Sequence, residues 1–157
     1  MILKIPPICP YCQQPSKLAR GAQVYPHRPD LSELWMWQCA PCDAYVGTHR
    51  GDPDHAPMGR LAKAPLRALK IAAHAAFDPL HRDLRSAYPD SPVSGYVHRL
   101  ARSRAYAWLA ERMGIPESEC HIAMFDELRC QAVIDIIETL KPTALDIRLW
   151  AKQKEIA

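Results

Sequence analysis

Two Cys-x-x-Cys pairs, Cys9-Pro10-Tyr11-Cys12 and Cys39-Ala40-Pro41-Cys42, are the residues of this chain best arranged for chemistry. Four thiols in two tight pairs, with 26 residues between Cys12 and Cys39, have the layout of a tetrahedral metal cage. Each pair can bend around one ion as a knuckle, and the intervening segment is long enough for a hairpin. Thiolate is a soft ligand that suits Zn²⁺, and four protein sulfurs leave no open coordination position. The ion expected on Cys9, Cys12, Cys39 and Cys42 is therefore one structural zinc, which holds the fold together and does no chemistry.

Cys9-Pro-Tyr-Cys12 has a second meaning, because the same four residues form the active site of glutaredoxins. There the first Cys is a low-pKa nucleophile at a helix N-terminus. Such a motif needs a strand before it and a helix after it. Here Pro6-Pro7 precede it and Gln13-Gln14-Pro15-Ser16 follow, which is poor helix material. A second pair at knuckle spacing is also more than a redox fold requires. Metal is the better reading than disulfide or redox chemistry, and zinc the better metal than a rubredoxin-like iron. Many knuckles place Gly after their second Cys, to permit positive φ. This chain has Gln13 and Asp43 instead, and Gln tolerates that conformation less well than Asp. The first knuckle is therefore expected to carry some strain.

The other thiols, Cys120 and Cys130, lie in apolar helical sequence and read as small buried hydrophobes. His121 beside Cys120 makes a second metal site conceivable, but burial is the better reading. His49, His55, His74, Asp78 and His81 are the acid–base candidates. His74 and Asp78 are four apart and can share a helix face, which points to a hydrogen-bonded pair fixing the helix end. Asp54-His55 is similar to the Asp-His dipeptide of HNH nucleases, but it follows both cysteine pairs and the rest of that pattern is missing. No phosphate-binding Gly loop, Gly-x-Ser-x-Gly or His-Glu-x-x-His occurs. No motif calls for an enzyme.

The elements that must position these residues read as α+β. Residues 1–60 form a turn-rich zinc-ribbon module of β-hairpins. Leu34 to Gln38 runs into the second pair as a strand, Tyr45 to His49 leaves it, and Val24-Tyr25 is a candidate third strand. Residues 61–157 form a helical region of three to four helices with an irregular linker at about 82–97. One helix runs from Ala64-Pro65 to Phe77 with Leu66, Leu69, Ala73 and Phe77 on one face. A second runs from a Ser103 cap to Met113, ending at Gly114, with Tyr106, Leu109, Ala110 and Met113 inside. A third is capped by Asp126, with Val133, Ile134, Ile137 and Leu140 as its stripe, and stops at Lys141-Pro142. A last one, Thr143 to Lys154, carries Leu145, Leu149 and Trp150.

The 157 residues carry a formal charge of +3, unevenly spread. Residues 1–49 hold four basic and three acidic side chains, residues 50–112 hold 11 and six, and residues 113–157 hold five and eight. The middle segment, at +5, is the anion-facing part. No apolar run approaches the roughly 20 residues of a membrane helix. The first eight residues, with one Lys and two Pro, are too short for a signal peptide. A cytoplasmic setting, where thiols stay reduced, is expected.

Several segments taken together resemble one family. They are Cys9-Pro-Tyr-Cys12, Cys39-Ala-Pro-Cys-Asp-Ala-Tyr-Val-Gly47, Met58-Gly-Arg-Leu-Ala62, His74-Ala-Ala-Phe-Asp-Pro-Leu80, Ser103-Arg-Ala-Tyr-Ala-Trp-Leu-Ala110 and Cys120-His-Ile-Ala-Met-Phe-Asp126. The chain resembles, over about residues 8–137, a zinc-finger-containing domain of unknown function found in bacteria, prophages and phages. That resemblance implies zinc on the four cysteines, a phage or mobile-element setting, and a family core that includes His74, Phe77, Asp78, His121, Phe125 and Asp126. It implies no established activity.

Three functions follow as expectations. The first is nucleic-acid binding, DNA above all, with Tyr25, Trp35 and Trp37 stacking beside Arg28 and Arg50, and Arg67, Lys70, Arg102 and Arg104 following phosphates. Strand alternation puts Trp35 and Trp37 on one face, which favours their burial instead. The second is a phage module that binds and modulates a host protein machine through the acidic C-terminal third. The third is a metal-dependent nuclease.

Overall fold

The structure is a computed structural model and describes residues 5–86 and 94–156. The chain divides into two compact units, Met1–Ala68 and Leu69–Ala157.

The first unit is built on a three-stranded antiparallel sheet in the order β1 (Lys17–Arg20), β2 (Trp35–Cys39), β3 (Ala44–Gly47). Leu18 pairs with Trp37, and Trp37 with Val46. The strand expected at Val24-Tyr25 is not formed. Gly21–Val24 is instead a single helical turn, α1, and Lys17–Arg20 supplies the third strand. Gly21 explains the change. Its N–H donates to the Leu34 carbonyl at 2.8 Å, and a Cβ there would lie 1.8 Å from the Leu31 carbonyl oxygen. Only glycine lets the chain fold back so closely.

The core of the sheet beside the cysteines is Cys9, Trp37, Cys39, Ala44 and Leu61, with Tyr11, Leu18 and Val46 packed against it. Trp35 and Trp37 share a face, as alternation requires. His55 covers it: its ring lies 5.0 Å from the Trp35 ring, and its carbonyl accepts from Trp37 Nε1–H at 2.8 Å. The 49–57 loop is pinned by Asp52, whose carboxylate accepts from the Asp54 and Ala56 amides.

Among the described residues five longer helices follow: α2 (Ala64–Phe77), α3 (Pro79–Ser86), α4 (Ser94–Met113), α5 (Glu127–Leu140) and α6 (Ala144–Ile156). In α2, Leu66, Ala73 and Phe77 are fully buried, on the expected stripe. Of the linker expected at 82–97, residues 87–93 lie outside the described residues and the remainder is helical, in α3 and α4. Pro79 marks a new helix start, because its missing N–H costs nothing in a first turn. Ser103 is no cap; it lies in the middle of α4, exposed, one turn after Arg99. Gly114 ends α4 at φ +66°, and Asp126 caps α5 by accepting from the Arg129 amide at 2.9 Å.

In the second unit α4 packs against α3, α5 and α6. Its inward face is Ala101, Ala105, Tyr106, Trp108, Leu109 and Ala110. The face of α6 differs from the expected one. Ile147 and Ala151 are buried, whereas Leu145 and Leu149 are 60% and 50% exposed. Polar contacts accompany that rotation: Arg104 to Glu155 at 2.6 Å, Lys154 to Glu111 at 2.6 Å and Trp150 Nε1–H to Glu111 at 3.1 Å.

Candidate metal centre

Each cysteine pair sits in a tight turn that the sheet holds in place. At the first, Ile8 bridges Pro15 and the Cys9 N–H donates to the Gln14 carbonyl at 2.8 Å. Gln13 donates its N–H to the Cys9 carbonyl at 2.9 Å and takes φ 60°. At the second, a 3-10 turn over Ala40–Cys42 joins β2 to β3, and Asp43 follows with φ 50°. Both residues that stand where knuckles often have glycine are therefore in the left-handed region. Gln13 has no favourable local chemistry for it beyond an exposed bond from its side-chain amide to the Pro10 carbonyl at 3.1 Å.

The two turns bring all four sulfurs within 4.8 Å of one another, with Cys12 Sγ 3.6 Å from Cys39 Sγ. Zinc–sulfur bonds of about 2.3 Å put tetrahedral sulfurs about 3.8 Å apart, so the spacing fits the ion. All four are free thiols. Cys9 and Cys39 are buried and Cys12 and Cys42 partly so. Tyr11 closes the first knuckle on the outside, its hydroxyl accepting from the Lys63 N–H at 3.2 Å and its ring lying under the Lys63 ammonium.

The protonation of the cage shows why it needs a cation. Burial raises the Cys9 thiol, but hydrogen bonds from the Tyr11 and Cys12 amides and from the Cys39 and Cys12 thiols outweigh that and bring it down to about 7. Cys42 goes the other way. Its hydrogen bond with Cys12, then burial, then Cys39 push it up to about 12. Burial likewise raises Cys39. Bare thiolates this close repel, so the first ionises readily and a neighbour resists. A divalent cation at the centre removes the conflict, and four sulfur ligands leave it no position for water or substrate.

Residues 5–140 of the chain match a zinc-finger-containing domain family. The chain belongs to that family. No curated protein and no solved structure matches it. In this zinc-finger-containing domain the four-cysteine cluster suits one structural zinc ion. Helix α6 lies beyond the family match, in residues 141–157.

The remaining candidates have identifiable partners. Asp78 sits at the α2–α3 junction and is the hub of a polar cluster. His74 Nδ1 is 3.5 Å and His81 Nε2 3.4 Å from its Oδ1, and Arg82 meets Oδ2 at 2.7 Å. His81 is 3% exposed, wedged between the rings of Phe77 and His98. Its two ring nitrogens make no hydrogen bond among the described residues. Burial pushes its pKa down. His74 thus lies beside Asp78 at ion-pair distance, as His81 does, and the close contact to Asp78 is made by Arg82. Sequence reasoning missed His98 because it lies on a different helix. Cys120 and Cys130 are fully buried, with burial raising each thiol to about 11. Among the described residues only the four N-terminal cysteines group as a metal site.

The residues expected to meet nucleic acid fall in both units. In the first unit, Trp37 is buried, and Trp35 is half-buried with the Arg20 guanidinium 3.7 Å over its ring. Tyr25 packs edge-on against Tyr45. Arg28 is held by Asp30 through two bonds, at 2.8 and 2.7 Å. Arg67 lies over the Tyr45 ring and donates to the Ala62 carbonyl. Arg50 is exposed and lines a hollow with Trp35, His49, His55 and Met58. In the second unit, Lys70 donates to the Ala123 carbonyl, Arg104 pairs with Glu155, and Arg102 is exposed.

Proposed function

We propose that this domain is a small nucleic-acid-binding protein of the phage or prophage type, in which zinc has a structural role and no catalytic one. The observation that carries the proposal is on α4. That helix holds Arg99, Arg102, Arg104 and Arg112 against a single acidic residue, Glu111. Among the described residues no carboxylate pairs with Arg99 or Arg102, and both are exposed. Exposed guanidinium groups one helical turn apart suit phosphate contact, and such contacts release counterions. Arg50 adds a cation in the zinc unit. The aromatic side chains of that unit are largely engaged in packing, which favours backbone contact over base stacking.

The test is binding of the zinc-loaded protein to single- and double-stranded DNA and RNA across a salt series. Binding at about 50 mM salt that weakens linearly in log salt supports the proposal. Replacing Arg99 and Arg102 with Gln should then lower the slope by about 2. No binding at low salt refutes it. A second reading, a module that docks on a host protein, draws on Leu140, Leu145 and Leu149, which are exposed by half or more near the α5–α6 turn. Capture of a protein from host lysate that survives nuclease treatment favours this second reading.

A further inference from the structure

The arginines of α4 border a hollow that suits one kind of phosphate better than others. Arg99, Arg102, Ser103 and Tyr106 recur at i, i+3, i+4 and i+7, so they form one stripe of α4. Opposite that stripe lie Glu117, Cys120 and His121, and the seven residues line a cavity of about 270 Å³. Its floor is the Tyr106 ring, buried and packed between Phe77 at 4.6 Å and His121 at 5.0 Å. Arg102 lies over that ring, 5.4 Å from its centroid, which holds the guanidinium at the mouth. Ser103 offers a hydroxyl and His121 an imidazole.

We infer that this cavity binds the terminal phosphate of a phosphomonoester, the ligand for which the nucleic-acid reading supplies a source as the phosphorylated end of a strand. Two guanidinium groups against one carboxylate give the cavity a net positive charge, and the hydroxyl and imidazole give directional bonds. A terminal phosphate has three free oxygens and up to two charges, and enters a concavity end-on. A backbone diester has two free oxygens and one charge, and its two flanking sugars keep it at the surface. Arg102 is the forked contact, and Arg99 the second cation across the mouth. Tyr106 positions Arg102 without itself meeting the phosphate.

The experiment compares 12-nucleotide strands that differ only in a 5′-phosphate, a 3′-phosphate or hydroxyl ends, by fluorescence anisotropy on the zinc-loaded chain. In parallel, inorganic phosphate and a nucleoside monophosphate are titrated while the Arg and His side-chain NMR signals are followed. A preference of about tenfold or more for one phosphorylated end supports the inference. That preference should disappear in Arg99→Gln and in Arg102→Gln but persist in Arg112→Gln, which lies outside the cavity. Equal affinity for all strands, with no response to free phosphate, overturns the cavity while leaving nucleic-acid binding intact. Shifts at Arg99, Arg102 and His121 with free phosphomonoester, but no binding of any strand, support the cavity with a small ligand and refute the nucleic-acid reading.

Discussion

Removing zinc should unfold the first unit and leave the second folded. Among its described residues the first unit buries five large side chains, Met36, Trp37, Tyr45, Leu61 and Leu66. At about 1.5–3 kcal/mol each they contribute about 8–15 kcal/mol. A structural zinc held by four thiolates contributes about 10–16 kcal/mol, as much as all five together. Whole domains retain only about 5–15 kcal/mol after the entropy of ordering is met. Loss of the ion therefore removes a free energy as large as the whole margin such a unit retains. The tryptophans report on it separately, because Trp35 and Trp37 lie in the first unit and Trp108 and Trp150 in the second. Chelation under reducing conditions, followed by ¹H–¹⁵N NMR, should collapse the indole signal of Trp37, whose N–H is bonded to His55. The signals of Trp108, which is buried, and of Trp150, bonded to Glu111, should stay in place. An unmoved Trp37 signal in metal-free protein would refute the claim that the ion supplies the folding energy. Collapse of Trp108 at the same time would refute separate stability of the two units.

Two further outcomes follow from local geometry. Gln13→Gly should stabilise the first unit by about 0.5–1 kcal/mol, since relief of the left-handed conformation outweighs the extra freedom of glycine in the unfolded chain; slower zinc loss to a chelator is the readout, and faster loss refutes strain at the first knuckle. Burial holds the His81 imidazole below its ordinary 6.5, opposed by Asp78 and reinforced by His98 and Arg102. The unfolded chain then takes up the proton first, so the stability of the second unit is full above about pH 6.5 and falls as pH drops below it. The Trp108-detected melting temperature should decline between pH 7 and pH 5, and His81→Gln should flatten that decline; an unchanged slope removes His81 as its source.

The metal cluster was legible because its chemistry is local: four residues of one type, at short spacings, in turns. The positive φ at Gln13 and Asp43 was legible for the same reason. The strand at Lys17–Arg20 was not, since two of its four residues are basic and its partner β2 comes 15 residues later. The start of α4 was hidden by Gly95 and by the serines and prolines before it. The face of α6 was misread because leucines at 145 and 149 outweigh Ile147 and Ala151 in any count of apolar residues. Which side turns inward depends on how α6 packs against α3 and α4, which no helical period encodes. The link from Asp78 through His81 to His98 joins separate helices and leaves no spacing to find.

The second knuckle is also the β2–β3 turn, and Cys39 pairs with Ala44 as the last rung of that ladder. A strand shifted by one residue would turn Cys39 to the opposite side of the sheet and take it out of the cage. Zinc occupancy and correct hairpin alignment are thus one event, and a chain folded out of step cannot keep its metal. The exposed turn from Pro26 to Pro29 carries no such constraint. Insertions there should be tolerated over evolutionary time, while even a single residue added between Trp35 and Gly47 should be purged.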